Sequence, residues 1–162
     1  MEAEIAEIVR EYGWFAADIY DHSPPFVYSV GLMQTCDHPE LIIFGLEPGD
    51  AHGILSNMFH AIRNGESFRE ACTYVGILTE HRSVGIRPVD PTQHPLYLGL
   101  AMGYCRFIGR IGELMAVQVF WPDQIGKFPF EVGCDLEVYR RQPRLDLALT
   151  PSEIAEFERE FQ

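Results

Sequence analysis

Pro24-Pro-Phe-Val-Tyr-Ser-Val-Gly-Leu-Met-Gln-Thr-Cys-Asp-His-Pro-Glu-Leu-Ile-Ile-Phe-Gly-Leu46 is the stretch that decides the fold. Phe26, Tyr28 and Val30 point one way and Val27 and Ser29 the other, the two-residue period of a strand over Phe26 to Leu32. Glu40 to Gly45 carries Leu-Ile-Ile-Phe, the kind of unbroken apolar run found in a strand buried on both faces. Two prolines, lacking N–H donors, make Asp21 to Pro25 a turn, and Met33 to Pro39 reads as a loop between the two strands.

Working outward, Ile5, Val9 and Tyr12 recur at helical spacing, so Met1 to Tyr12 reads as a helix that Gly13 stops. Trp14 to Tyr20 reads as a strand. Pro48 suits the first turn of a second helix, with Ile54, Leu55, Met58 and Ile62 as its apolar stripe and Asn64-Gly65 as its end. Tyr74 to Thr79 and Ser83 to Val89 read as two strands turning at Glu80-His81-Arg82. Asp90-Pro-Thr-Gln93 reads as a capping box opening a helix whose stripe is Leu96 or Tyr97, Leu100, Ala101 and Tyr104. Gly99 and Gly103 let something pack closely against that helix. Gly109 to Gly112 is a helix stop and turn, and Leu114 to Trp121 alternates as a strand. Pro122 to Gly126 turns into Phe128-Pro-Phe130, and Gly133 to Arg144 carries no clear period. Thr150-Pro-Ser-Glu153 is a second capping box, opening a last helix with Ile154, Phe157 and Phe161 on one face. Strands and helices intermingle without strict βαβ alternation. The expected fold is therefore α+β, a single domain over residues 1–162, with a mainly antiparallel sheet and helices packed on one face.

Composition limits what such a domain does. The chain has 162 residues, 47% hydrophobic and 12% aromatic, which argues against global disorder. It holds 24 acids against 12 Lys and Arg, a formal charge of −12. Duplex DNA and anionic membranes need clustered positive charge, so neither is an expected partner. No apolar run approaches the roughly 18 residues of a membrane span, and the acidic Met1-Glu-Ala-Glu start is unlike an export signal, so a cytoplasmic location is expected. Cys36, Cys72, Cys105 and Cys134 form no paired spacing, so free thiols and no zinc site are expected. The charge is uneven: residues 1–80 hold 13 acids and 3 bases, whereas residues 81–144 hold 6 acids and 8 bases. A small phosphate or carboxylate ligand therefore stays open.

The chemistry-bearing residues fall in two groups. Tyr28, Ser29, Cys36, His38 and Glu40 bring phenol, hydroxyl, thiol, imidazole and carboxylate to one loop-to-strand junction. Histidine titrates near neutrality, so His38 could act as acid or base with Glu40 as its orienting partner. Ser29 or Cys36 with His38 would be a nucleophile and base, but no G-x-S-x-G elbow surrounds Ser29. A metal held by His38, Glu40 and Asp90 would need assembly in three dimensions, since no metal motif is present and no metal is expected. No Walker A or dinucleotide motif occurs and no cofactor is identified, a flavin staying open on fold analogy alone. The second group is Arg87, Asp90, Gln118, Trp121 and Asp123. An Arg, an amide and a Trp at one sheet end would suit a planar or anionic ligand, while an Arg87 ion pair and an Asp90 helix cap are the plain structural alternatives.

Tyr12-Gly-Trp14, Pro24 to Leu32 and His38 to Leu46, with Arg87-Pro-Val-Asp90, Gln118-Val-Phe-Trp-Pro-Asp123 and Gly126-Lys-Phe-Pro129, resemble the blocks of the bacterial domain-of-unknown-function family 4262. The resemblance spans roughly residues 12–133, leaving both terminal helices outside, and implies a domain but no activity. Two expectations follow from the residues. One is a pocket for a small polar or anionic ligand, lined by Tyr28, Ser29, His38, Glu40, Arg87, Asp90, Gln118 and Trp121, with or without acid–base catalysis. The alternative is an interaction module of the immunity, antitoxin or inhibitor kind, whose acidic surface, including Glu2, Glu4 and Glu7, attracts a basic protein partner.

Overall fold

Six strands form one sheet in the computed structural model, which describes residues 1–79 and 81–160. They are β1 (Phe15–Ile19), β2 (Phe26–Val30), β3 (Glu40–Phe44), β4 (Cys72–Val75), β5 (Ser83–Pro88) and β6 (Ala116–Phe120), in the spatial order β1-β2-β3-β6-β5-β4. Each neighbouring pair is antiparallel except β3 and β6, which run parallel with Ile42 opposite Gln118. The sheet is thus two three-stranded meanders joined side by side along their third strands. This is the mainly antiparallel α+β domain that the strand and helix order implies.

The helices among the described residues are α1 (Glu2–Tyr12), α2 (Leu32–Cys36), α3 (Pro48–Arg63), α4 (His94–Tyr97), α5 (Gly99–Phe107), α6 (Leu136–Arg140) and α7 (Pro151–Glu160). They cover the sheet on both faces rather than on one. Val27, Leu41, Ile43, Val117 and Val119 pack on Leu55, Met58 and Phe59 of α3. The alternate residues Phe26, Tyr28, Ile42 and Phe44 pack with Ile5 and Val9 of α1 and Ala101 and Tyr104 of α5. The reason is visible in the strands: every residue of β2, β3 and β6 is buried, so both faces need a cover.

Local signals resolve as their chemistry requires. Gly13 ends α1 in the left-handed region, and Thr150 and Glu153 exchange the two bonds of a capping box at 3.0 and 3.2 Å. Asp90 caps as expected, accepting from the Thr92 N–H, but Gln93 does not close a box; its amide donates to the Leu147 carbonyl at 2.9 Å. The strand expected to reach Leu32 ends at Val30, α2 begins at Leu32 and fills the first part of the expected Met33 to Pro39 loop, and the 133–144 segment contains α6. The β4–β5 hairpin pairs Val75 with Ser83, so its connection is longer than three residues. Glu80 and Phe161 lie outside the described residues.

Candidate functional site: an arginine-lined groove between helices

Glu40 is the buried acid around which the junction is built. The residue is 3% exposed, and its carboxyl oxygens accept from the Ser29 hydroxyl at 2.7 Å and from the N–H groups of Gly31, Leu32 and Met33 at 3.0, 3.1 and 3.3 Å. The Ser29 oxygen in turn accepts from Leu41 N–H at 2.9 Å. The first turn of α2, whose amides have no partner within the helix, is therefore held by a side chain from β3. Burial pushes the Glu40 carboxyl up to about 7, against the pull of those four donors.

His38 is equally committed. Its Nδ1–H donates to the Pro39 carbonyl at 2.8 Å and its Nε2 accepts from Phe68 N–H at 2.9 Å, which defines the neutral Nδ1–H form. Burial lowers its pKa, and the Arg69 charge adds to that. His38 lines a groove of about 380 Å³ with Arg69 and Arg110. Both cations there are engaged: Arg69 donates to the Asp37 carbonyl, and Arg110 to Glu113 and the Met33 carbonyl, each at 3.2 Å.

The remaining expected residues hold the frame. The buried Tyr28 hydroxyl accepts from Leu100 N–H at 3.0 Å and so fixes the start of α5. Gln118, fully buried, donates to the Pro143 carbonyl at 2.6 Å and accepts from Leu145 N–H at 2.9 Å. Trp121 donates its indole N–H to the Phe44 carbonyl at 2.8 Å, and the Gln142 amide pairs with its backbone N–H and carbonyl. Two side-chain amides, Gln118 and Gln142, thereby tie the 142–145 segment to β6 and its exit. Arg87 lies 3.7 Å from the Phe130 ring centre and donates to the Ile86 carbonyl. Asp90 is the cap of the turn that precedes α4. Asp123 accepts from Ile125, Lys127 and Asp135 N–H groups; burial opposes its charge, but these bonds hold its pKa below the usual value. Among the described residues, no three of His, Cys, Asp and Glu gather as a metal-holding group, so His38, Glu40 and Asp90 do not form one.

A different groove, of about 590 Å³, opens where α1, α2, α3 and α5 meet. Arg10 and Tyr12 come from the end of α1, Gln34 and Thr35 from α2, Arg63 from the last turn of α3, and Tyr104 and Phe107 from α5. Both arginines sit where a helix dipole favours a cation. Neither forms an ion pair among the described residues, although Glu11 also borders the groove. The Arg63 guanidinium lies 5.5 Å from the Phe59 ring centre. The Tyr104 hydroxyl donates to Gln34 Oε1 at 2.6 Å, which leaves the Gln34 amide N–H groups outside that bond.

Close backbone approaches set the walls. Gly13 has φ +93°, and a Cβ there would lie 2.5 Å from the Phe59 ring, so the end of α1 rests directly on α3. Gly31 has φ +106°, and a Cβ there would lie 2.6 Å from a Val9 methyl, so the start of α2 rests on α1. The buried Glu40 cradle then orients α2, and with it Gln34 and Thr35. The expected site residues Ser29, Glu40 and Tyr28 thus stand behind this groove as its supports. Sequence reasoning passed over the groove because its residues come from four separate helices. One signal was available: Arg10 and Arg63 are two of the three bases among residues 1–80.

A family model described as a domain of unknown function, DUF4262, matches residues 8–135. No curated protein and no solved structure shows a match to the chain.

Proposed function

The chain belongs to the DUF4262 family, whose description carries no activity, and we propose from its geometry that it binds a small anionic molecule in the groove between α1, α2, α3 and α5. One observation carries the reading: Arg10 and Arg63 both line this groove with no ion-pair partner among the described residues, in the first 80 residues, which hold 13 acids and 3 bases. An arginine fork presents paired donors to carboxylate or phosphate oxygens. Thr35 and the Gln34 amide add neutral donors beside them. The volume, about 590 Å³, lies in the range of small-molecule sites. The surrounding negative charge favours a compact, partly enclosed anion over an extended polyanion, which would meet Glu4, Glu7 and Glu11.

Titration calorimetry with inorganic phosphate, at low and moderate salt, tests the reading. Each guanidinium lost should weaken binding about tenfold, and salt should weaken the wild type more than Arg10→Ala/Arg63→Ala. Equal affinity of the wild type and the double variant would overturn it. The acidic-surface reading has one supporting observation of its own: Glu4 and Glu7 are exposed on α1, whereas Glu2 faces Gly103 of α5. Charge reversal at Glu4 and Glu7 tests it, through loss of salt-sensitive capture of a basic protein.

A further inference from the structure

We propose that the anion taken by this groove carries a planar aromatic ring, which lies against the exposed rings of Tyr12 and Phe107 while its charged end meets Arg10 and Arg63. The inference rests on the binding reading above and adds the class of ligand. Its observation is separate from the arginines. Tyr12 is 63% exposed and Phe107 53% exposed, yet both line the same groove, one from α1 and one from α5.

Helical spacing places Tyr12 in register with Ile5 and Val9, which are 1% and 5% exposed. Its ring does not join them, because α1 ends at Gly13 and turns into β1 there. Phe107 ends α5 in the same exposed manner. Single exposed apolar side chains are ordinary, but two aromatic ones bordering a cationic groove form a surface suited to a ring with a negative group. Phe107 is also held in place. Its ring stacks on Tyr104 at 6.1 Å with 30° between planes, and Tyr104 is fixed through its hydroxyl to Gln34. A ring positioned before binding loses little rotamer freedom when a ligand stacks on it. Guanidinium groups also stack on aromatic faces, so Arg10 and Arg63 serve both ends of such a ligand.

Matched probes test this: phosphate against phenyl phosphate, and acetate against benzoate, each titrated into the full chain. The aromatic member of each pair should bind about tenfold more tightly than its small counterpart. Cyclohexyl phosphate should fall between phosphate and phenyl phosphate. Phe107→Ala should remove most of the aromatic advantage, bringing phenyl phosphate to within about twofold of phosphate when both are titrated into that same variant. Tyr12→Ala, at an exposed position that the core does not need, provides the same comparison if Phe107→Ala perturbs folding. Equal affinities within both pairs would overturn the aromatic ligand and leave the anion site standing. Absence of saturable binding by all probes would overturn both.

Discussion

Glu40 shows what one buried carboxylate does for this chain. It belongs to β3, yet its hydrogen bonds organise α2, and α2 presents Gln34 and Thr35 to the groove. Its raised pKa sets a direction for stability. The folded chain holds the Glu40 proton up to about 7, whereas the unfolded side chain releases it near 4.5. The folded state therefore binds more protons in that window, and stability is lost as pH rises from about 4.5 through 7. His38, with its pKa lowered by burial, has the opposite slope, with stability lost as pH falls through its unfolded value. The two separate in a difference measurement: urea unfolding of the wild type against Glu40→Gln should show a stability gap that narrows as pH rises across that window. Away from the ionisation effect, Glu40→Gln should cost about 1.5–3 kcal/mol, since an amide nitrogen faces backbone donors. A gap independent of pH would mean that Glu40 stays ionised throughout. The sequence makes Glu40 and His38 conspicuous but not their roles, because a polar residue at a strand mouth reads alike whether it meets a ligand or a backbone amide. Partners such as Phe68, thirty residues from His38, decide the matter.

The elements were legible where a short-range rule governs them. The Thr150 capping box, the Gly13 stop and the apolar run of β3 all act within one turn or one strand. The pairing of β3 with β6 was not legible, because it joins residues more than seventy positions apart through backbone groups that every residue carries. Helix cover on both faces follows from that pairing, since it places both strands at the centre of the sheet. The same physics gives element-scale predictions. Gly31→Ala should destabilise by about 2–4 kcal/mol in chemical denaturation, combining a positive φ with a Cβ against Val9, and should also weaken phosphate binding by displacing α2 from α1. Gln142→Ala should leave the Trp121 backbone N–H and carbonyl without their side-chain partners. It should cost about 1–3 kcal/mol and raise amide hydrogen exchange at Trp121, with Leu145 held by Gln118 changing less.

At the scale of the whole molecule, the formal charge of −12 is a poor guide to where ligands bind. Most of the acid lies in the first 80 residues and in α7, yet both arginines of the groove come from the first 80 residues and form no ion pair among the described residues. The sequence averages conceal it, since Arg10, Arg63 and the aromatic rings of Tyr12 and Phe107 become neighbours only when four helices meet. α7 contributes acid but no buried residue among those described. Removing the chain from residue 151 onward should therefore cost only what the half-buried Ile154 and Phe157 contribute, about 1–3 kcal/mol, while leaving phosphate affinity within about twofold, as thermal unfolding and calorimetry would read.

The most direct measurement is a phosphate titration followed by amide NMR on the full chain. Saturable shifts should concentrate at Arg10 to Gly13, Gln34, Thr35 and Arg63, and should vanish in Arg10→Ala/Arg63→Ala. Saturable shifts centred on His38, Arg69 and Arg110, or unchanged in the double variant, would contradict the anion site between α1, α2, α3 and α5.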